Sequence, residues 1–284
     1  MNEQWLSQLP IENIQKVTKV SGGDVNDAYA IQGKDQKYFL LVQPHTKKEF
    51  FVTEVAGLKD MKQAGITVPE VYDYGEIDGD AYLLISYLDE GQTGSYQELA
   101  KMIAKMHESY SSNGLFGYPY PYQGADITFN NDWTDRWIEL FVERRLDKLH
   151  EELVKRNKWN QHQANTYQEV RKIILKELSK HQSVPSLLHG DLWGGNHMFL
   201  KNGEPALFDP APMYGDREFD IGVTTSFGGY PHLFYEAYQE ILPMAEGYEK
   251  RLPFYRLYVF MVHLHKFGGI YENRVDQTMQ EILS

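Results

Sequence analysis

The sequence predicts an α+β protein of two lobes: a small N-terminal β-sheet lobe with one main helix, and a larger, mainly helical C-terminal lobe. Three observations predict it. Short β-branched and aromatic runs bounded by turn residues crowd the first third of the chain. One long stripe of apolar residues at helical spacing interrupts them after Pro44. Past the polar stretch LDEGQTGS the helical period takes over almost entirely. The boundary falls near Asp89–Ser95 and divides the chain into 1–90 and 91–284.

Each element follows in order. Val17 to Ile31 places a Gly-Gly turn between two strand-like segments, and KYFLLV at Lys37–Val42 completes a hairpin. Thr46 and Glu49 stand three apart as in a capping box, and Phe50, Phe51, Glu54, Val55, Leu58 and Met61 continue at helical spacing to Gly65. A helix over 46–64 is expected. Two more strands follow at Glu70–Tyr74 and Tyr82–Tyr87, the second within AYLLISY, whose unbroken apolar run predicts burial on both faces. Ser95 and Glu98 form a second capping-box pattern ahead of Leu99, Met102, Ile103 and Met106. Further helices are expected at 96–110, 133–156, 164–181, 231–242 and 252–267, with short strands and turns at 186–210.

Composition narrows the function classes. The 284 residues are 42% hydrophobic and 24% charged, an ordinary globular balance. With no cysteine there is no disulfide framework, thiolate zinc site, iron–sulfur cluster or cysteine nucleophile. The opening MNEQWLSQLPIENIQ lacks a basic segment and an apolar core, and no apolar run approaches the roughly 18 residues of a membrane span, so a cytoplasmic protein is expected. A net charge of −12 argues against nucleic-acid and anionic-membrane partners. G-x-S-x-G is absent, which leaves a serine hydrolase unsupported. The histidines show no metal-ligand spacing, and no metal other than magnesium is expected.

Chemistry concentrates in SLLHGDLWGGNHMFLKNGEPALFDPAPMYGDREFDIG, residues 186–222. Two short apolar runs end near Asp191 and at Asp209, so Asp191, Asn196 and Asp209 can be delivered from strand ends and tight turns. Asn196 follows Asp191 by five residues and Asp209 follows Asn196 by 13, the spacing of a kinase catalytic loop and its metal-binding aspartate. Phosphoryl transfer needs a carboxylate to accept the acceptor hydroxyl's proton, and hard oxygen ligands for the magnesium that bridges the triphosphate. Between 185 and 230, six acids against two bases leave a local charge of −4, suited to a metal or an amine. Each aspartate could alternatively do no more than cap a turn.

HGDLWGGN, FDPAPMYGDREFDIG and the FGG at 227–229 resemble the fructosamine kinase (ketosamine-3-kinase) family, within the aminoglycoside phosphotransferase and choline kinase-like superfamily of protein-kinase-like fold. SGGDVNDAY at 21–29, TEVAGL at 53–58 and NDWTDRWIELFVERRL at 131–146 extend the resemblance, which covers about residues 15 to 267. It implies a nucleotide-binding lobe over 1–90 and a catalytic, acceptor-binding lobe over 91–284. It implies Asp191 as catalytic base and Asn196 and Asp209 as magnesium ligands. Gly22, Gly23, Asn26, Glu54, Ser86, Tyr87 and Leu88 become candidate ATP-site residues. Trp193, Trp133 and Trp137 are candidates for the acceptor pocket, with core packing as the alternative for each. His189, Arg217 and Asp220 read as supports of the catalytic loop. The implied reaction moves the ATP γ-phosphoryl to the sugar 3-hydroxyl of a ribulosamine or fructosamine carried by lysine or a protein, which promotes deglycation.

One position departs from the family pattern. The strand that KYFLLVQ resembles carries a lysine for the α- and β-phosphates, paired with the helix glutamate, and Leu41 stands there instead. Lys37 shares its strand parity but lies about 13 Å away, and Gln43 is nearer but uncharged. Magnesium and the backbone N–H groups around Gly22 and Gly23 are therefore expected to carry most of the triphosphate. Two alternatives stay open: a kinase for an aminoglycoside, choline or another amino alcohol, and a non-catalytic nucleotide-binding pseudokinase.

Overall fold

The computed structural model describes residues 2–20, 26–124 and 126–284, in two compact units. The first comprises the chain up to Ser95 together with Met198–Phe208, and the second comprises Tyr96–His197 with Asp209–Ser284. No helix among the described residues is long and apolar enough to cross a membrane.

The first unit is built on an antiparallel sheet of β1 (Lys16–Val20), β2 (Asp27–Gln32), β3 (Lys37–Gln43), β4 (Val71–Ile77) and β5 (Asp80–Ser86), in the order β1-β2-β3-β5-β4. β5 lies between β3 and β4 and is covered on both faces, which explains the unbroken apolar run Ala81–Ile85. On one face Ile31, Leu40, Val42 and Leu84 pack with Trp5 of a four-residue helix α1 (Glu3–Leu6), whose indole donates to the Ile77 carbonyl at 3.2 Å. On the other, Leu83 and Ile85 meet Phe51, Val55 and Leu58 of α2 (Glu49–Gln63). β4 and β5 are joined through Asp78 and Gly79, both left-handed, the Asp-Gly pair of a type I′ hairpin.

The Gly-Gly turn expected between the first two strands lies outside the described residues. α2 starts three residues later than expected, and its capping box does not form. The Thr46 hydroxyl donates to Pro44 O at 3.1 Å, His45 is left-handed, and the N-cap is Lys48 without a side-chain bond. The C-terminus is as expected: Gly65 at φ +76° lets Ile66 N reach Met61 O and Gly65 N reach Lys62 O, both at 3.0 Å, a Schellman closure. The segment Met198–Phe208, which the sequence placed beyond the boundary, joins this unit: Gly91 N donates to Phe199 O at 2.7 Å and Leu207 N to Thr67 O at 3.0 Å.

The second unit holds α3 (Tyr96–His107), α4 (Asp147–Lys155), α5 (Gln161–Leu178), α6 (Glu218–Thr224), α7 (His232–Ile241), α8 (Tyr248–Phe267) and α9 (Glu272–Leu283). The helix expected over 133–156 is shortened, because Thr134 is still paired with Phe116 in an extended bridge. It then opens as a π-helix over Glu139–Leu146 before α4. In that wide turn Arg145 points inward, with Nη1 donating to Leu140 O at 2.8 Å and Nη2 to the Asn131 side chain. α5 begins three residues early because Asn160 and Gln163 form a true capping box. α6 and α9 were not expected. α6 is seven residues long and wholly buried, while Val275, Thr278, Met279 and Ile282 form the core-facing stripe of α9.

A buried polar cluster ties α5's end to α6 and α8. His181 Nε2 lies 2.7 Å from Asp216 Oδ2, and Arg251 holds both Glu218 oxygens at 2.6 and 2.7 Å. Three of these side chains, His181, Asp216 and Glu218, have the spacing of a metal site. Arg251 on Glu218 and the Ser183 hydroxyl on Asp216 at 2.6 Å already satisfy the acids, so the cluster reads as an ion-pair network. Burial alone would lower the His181 pKa; the hydrogen bond and charge of Asp216, with Glu218's charge, outweigh it and hold the ring above its usual value. A raised histidine stabilises the fold fully below its unfolded pKa of about 6.5 and loses that contribution as pH rises through the folded value. His181→Gln should therefore cost about 1–3 kcal/mol at pH 6 and progressively less toward pH 9, read by urea unfolding. A pH-independent difference would contradict this.

Candidate active site

The candidate catalytic loop leaves the strand Ser186–Leu188, which pairs antiparallel with Met213–Gly215. Gly190, at φ +81°, makes the turn. A Cβ there would lie 1.8 Å from the Ala211 carbonyl oxygen, so no other residue fits without moving that backbone. The loop is tied from beneath by Asp220 of α6, which is fully buried. Its Oδ2 accepts from His189 N at 2.7 Å and its Oδ1 from Gly190 N at 2.9 Å. His107 Nε2 meets the same carboxylate at 3.2 Å, and the Tyr238 hydroxyl lies 2.7 Å from His107 Nδ1. The Arg217 guanidinium donates to that hydroxyl at 3.1 Å. A relay thus runs from the half-buried Arg217 through the buried Tyr238, His107 and Asp220 into the loop backbone. His189 is buried and its Nδ1 accepts from Asp191 N at 3.2 Å, so it shapes the loop rather than the chemistry.

At the tip, Asn196 Nδ2 donates to both the carbonyl and Oδ2 of Asp191, at 2.8 and 2.9 Å. The amide is buried, and its donors face Asp191, which leaves Oδ1 as an oxygen acceptor. Asp209 is exposed, follows the strand Pro205–Leu207, and takes left-handed backbone at φ +56°, uncommon for a non-glycine. The Asp191 carboxyl is pushed up to about 7, first by lost hydration and then by the charge of Asp209, with the Asn196 hydrogen bond acting against both. An acid poised there can accept a proton near neutrality. Asp191, Asn196 and Asp209 all belong to the second unit.

Asn196 Oδ1 and the Asp209 carboxylate are hard oxygen donors of the kind that suits magnesium, which is commonly held by one or two carboxylates plus substrate phosphates. Trp193 is half-buried over Phe227, with ring centroids 5.7 Å apart. Trp133 is 37% exposed against Tyr214, at 6.0 Å. Trp137 is not at an accessible surface: it is buried, stacks on Phe141 at 5.5 Å, and donates its indole N–H to the Tyr255 hydroxyl, so its role is core packing.

The remaining candidates lie on the first unit. Gly22 and Gly23 fall outside the described residues. Asn26 precedes β2, Glu54 is half-buried on α2, Ser86 ends β5, and Tyr87 and Leu88 follow it. Ser86 Oγ accepts from Glu70 N at 2.9 Å, and Lys37 sits over the Tyr87 ring at 5.2 Å. Leu41 packs with the apolar cluster beneath α2.

The family model for fructosamine kinase matches residues 1–284. The chain belongs to the fructosamine kinase family. A Staphylococcus aureus protein assigned as a probable ketoamine kinase is 52% identical over 283 residues, covering 100% of this chain and 98% of that protein. The chloroplastic protein-ribulosamine 3-kinase of Arabidopsis thaliana is 30% identical over 287 residues, 99% of this chain and 86% of that protein. Among solved structures, a Haemophilus somnus protein assigned as a fructosamine-3-kinase is 26% identical, with 99% of this chain and 95% of that one covered and a TM-score of 0.86. The protein-kinase-like fold read from the resemblance is thereby shown, and the family member is a phosphotransferase.

Sequence reasoning missed several groups around the acids of this kinase. Lys266, near the end of α8, opposes the upward shift of Asp191 through its charge. His107 and Tyr238 complete the support of the loop. Only Arg217 and Asp220 within GDREFD, read as supports of the loop, pointed toward them, since His107 and Tyr238 come from α3 and α7 and share no local motif with it.

Proposed function

We propose that this fructosamine kinase family member phosphorylates the sugar 3-hydroxyl of ketoamines, ribulosamine or fructosamine adducts of lysine or of proteins, with ATP as donor, and so promotes deglycation. The observation that carries the chemistry is Asp191, pushed up to about 7 and held by Asn196. The Asn196 amide occupies Oδ2 and so orients the carboxylate, leaving Oδ1 to receive the acceptor hydroxyl's proton. As that proton moves to Asp191, the hydroxyl oxygen bonds to the γ-phosphorus and the bond to the ADP oxygen breaks. Asn196 Oδ1 and Asp209 would hold magnesium, which when bound shields the charge on the transferring phosphoryl group. Residues 1–90 serve the nucleotide, and 91–284 the chemistry and the acceptor. Because ATP is the donor, the work belongs in the cytoplasm.

Support for the ketoamine acceptor comes from the names of the relatives and from the acidic 185–230 segment, which suits the protonated amine. Magnesium-dependent ADP release with ribulosyl-lysine, fructosyl-lysine, kanamycin and choline in parallel tests it. Turnover on a ketoamine is expected. Turnover confined to kanamycin or choline would replace the acceptor class, and no turnover on any acceptor despite ATP binding would favour a pseudokinase.

A further inference from the structure

We infer that Phe227 and Tyr230, at the two ends of the segment that carries Gly228 and Gly229, are positioning residues: they hold Trp193, and Trp193 sets the spacing of Asp191 and Asn196. The inference rests on the kinase reading above and gives the FGG stretch a part in it.

Trp193 is the strut of the catalytic loop. Its N–H donates to Asp191 O at 3.0 Å, and its carbonyl accepts from Asn196 N at 3.1 Å, so both ends of the Asp191–Asn196 turn are bonded to this one residue. The indole folds back over Gly195, where a Cβ would lie 2.2 Å from the ring. A displaced Trp193 therefore moves Asp191 and Asn196 relative to one another, and with them the Asn196 amide on the Asp191 carboxylate.

The 227–230 segment takes Trp193 from two sides. Phe227 meets the indole edge to face, with ring centroids 5.7 Å apart and planes at 75°. It is anchored in turn by Phe260 and His263 of α8, at 5.6 and 4.8 Å. Its backbone is left-handed at φ +53°, a conformation that is costly for a bulky residue and persists only where the surroundings over-determine it. Gly228 and Gly229, at φ +104° and +76°, then turn the chain back.

That turn delivers Tyr230 to the carbonyl of Trp193. Its hydroxyl lies 3.4 Å from Trp193 O and 3.2 Å from His197 Nδ1, the residue just past Asn196. With the proton on Nδ1, His197 donates to the phenol oxygen and the phenol proton serves the carbonyl, so both contacts are made at once. The Tyr230 ring is buried and fixed by Phe234 at 4.8 Å and His197 at 5.0 Å. All of these residues belong to the second unit. Each contact is modest by itself, and their joint effect falls on geometry: a reacting group misplaced by a fraction of an ångström loses rate.

The test is amide hydrogen exchange read by NMR on the unliganded protein, with steady-state kinetics beside it, for the wild type, Tyr230→Phe and Phe227→Leu; melting curves establish folding. Tyr230→Phe keeps the ring and removes only the hydroxyl. Exchange of the Asn196 N–H should quicken about 3- to 10-fold in both variants. The Leu187 N–H, bonded to Ser109 O at 2.8 Å in the strand before the loop, should keep its wild-type rate. In Tyr230→Phe kcat should fall about 5-fold, with the KM for ATP within about twofold of the wild type. Should Phe227→Leu not fold, Tyr230→Phe carries the comparison. Wild-type exchange at Asn196 or wild-type kcat in folded Tyr230→Phe would overturn the inference and leave the kinase reading standing. Equal quickening at Leu187 would overturn it too, because it marks loosening of the whole unit. A wild type that phosphorylates no acceptor would overturn the kinase reading, while the exchange rates still decide whether the segment holds the loop.

Discussion

Asp191→Asn is expected to lower kcat for ketoamine phosphorylation by about 10³-fold, the typical contribution of a positioned general base. The substitution keeps shape and keeps an oxygen for the Asn196 amide, but it removes the group that takes the hydroxyl proton. The Kd for ATP should change little, because Asp191 faces the acceptor rather than the nucleotide in this assignment. Rapid-mix measurement of a single turnover separates the two effects. If the variant turned over within about tenfold of the wild type, the base would have to lie elsewhere. A loss of ATP binding of similar size would instead show that Asp191 works through the nucleotide.

Asp220→Ala is expected to destabilise the second unit by about 4 kcal/mol, through three donors left buried and unpaired: His189 N, Gly190 N and His107 Nε2. None of the three can reach water from its place, since His189, His107 and Asp220 are all essentially without solvent exposure. Asp220→Asn should be milder, because one carboxamide oxygen still accepts from the loop while its amide faces another donor. That milder variant isolates positioning. Its expected signature is a kcat reduced about 10-fold or more with KM for ATP nearly unchanged, since a loop displaced by a fraction of an ångström misplaces Asp191. Urea unfolding and steady-state kinetics on both variants read the two effects. Normal stability in Asp220→Ala would mean that the loop backbone finds other partners.

The site was legible where chemistry depends on spacing along a short stretch of chain. Asp191 and Asn196 are five residues apart, and the loop between them brings the Asn196 amide onto the Asp191 carboxylate. The supports of that loop were partly legible. Asp220 stood in a motif that suggested bracing, but the residues that complete the relay, His107 and Tyr238, lie 113 positions before it and 18 after it in sequence. Helix starts were the weakest reading. Thr46 and Glu49 had the right spacing for a cap and did not make one, because the backbone at His45 turns left-handed and is held by the Asp80 carboxylate from β5. Asn160 and Gln163 made a cap without competition.

By itself the sequence determined the alternation of strand and helix, the doubly buried strand β5 and the candidate acids, because those depend on periodicity and on contacts between near neighbours. Only the tertiary structure decided that Trp137 belongs to the aromatic core and that Met198–Phe208 joins the first unit. It also decided the raised pKa of Asp191, which depends on burial and on the charge of Asp209. Burial and through-space charge are sums over neighbours distant in the chain, and no local pattern encodes them.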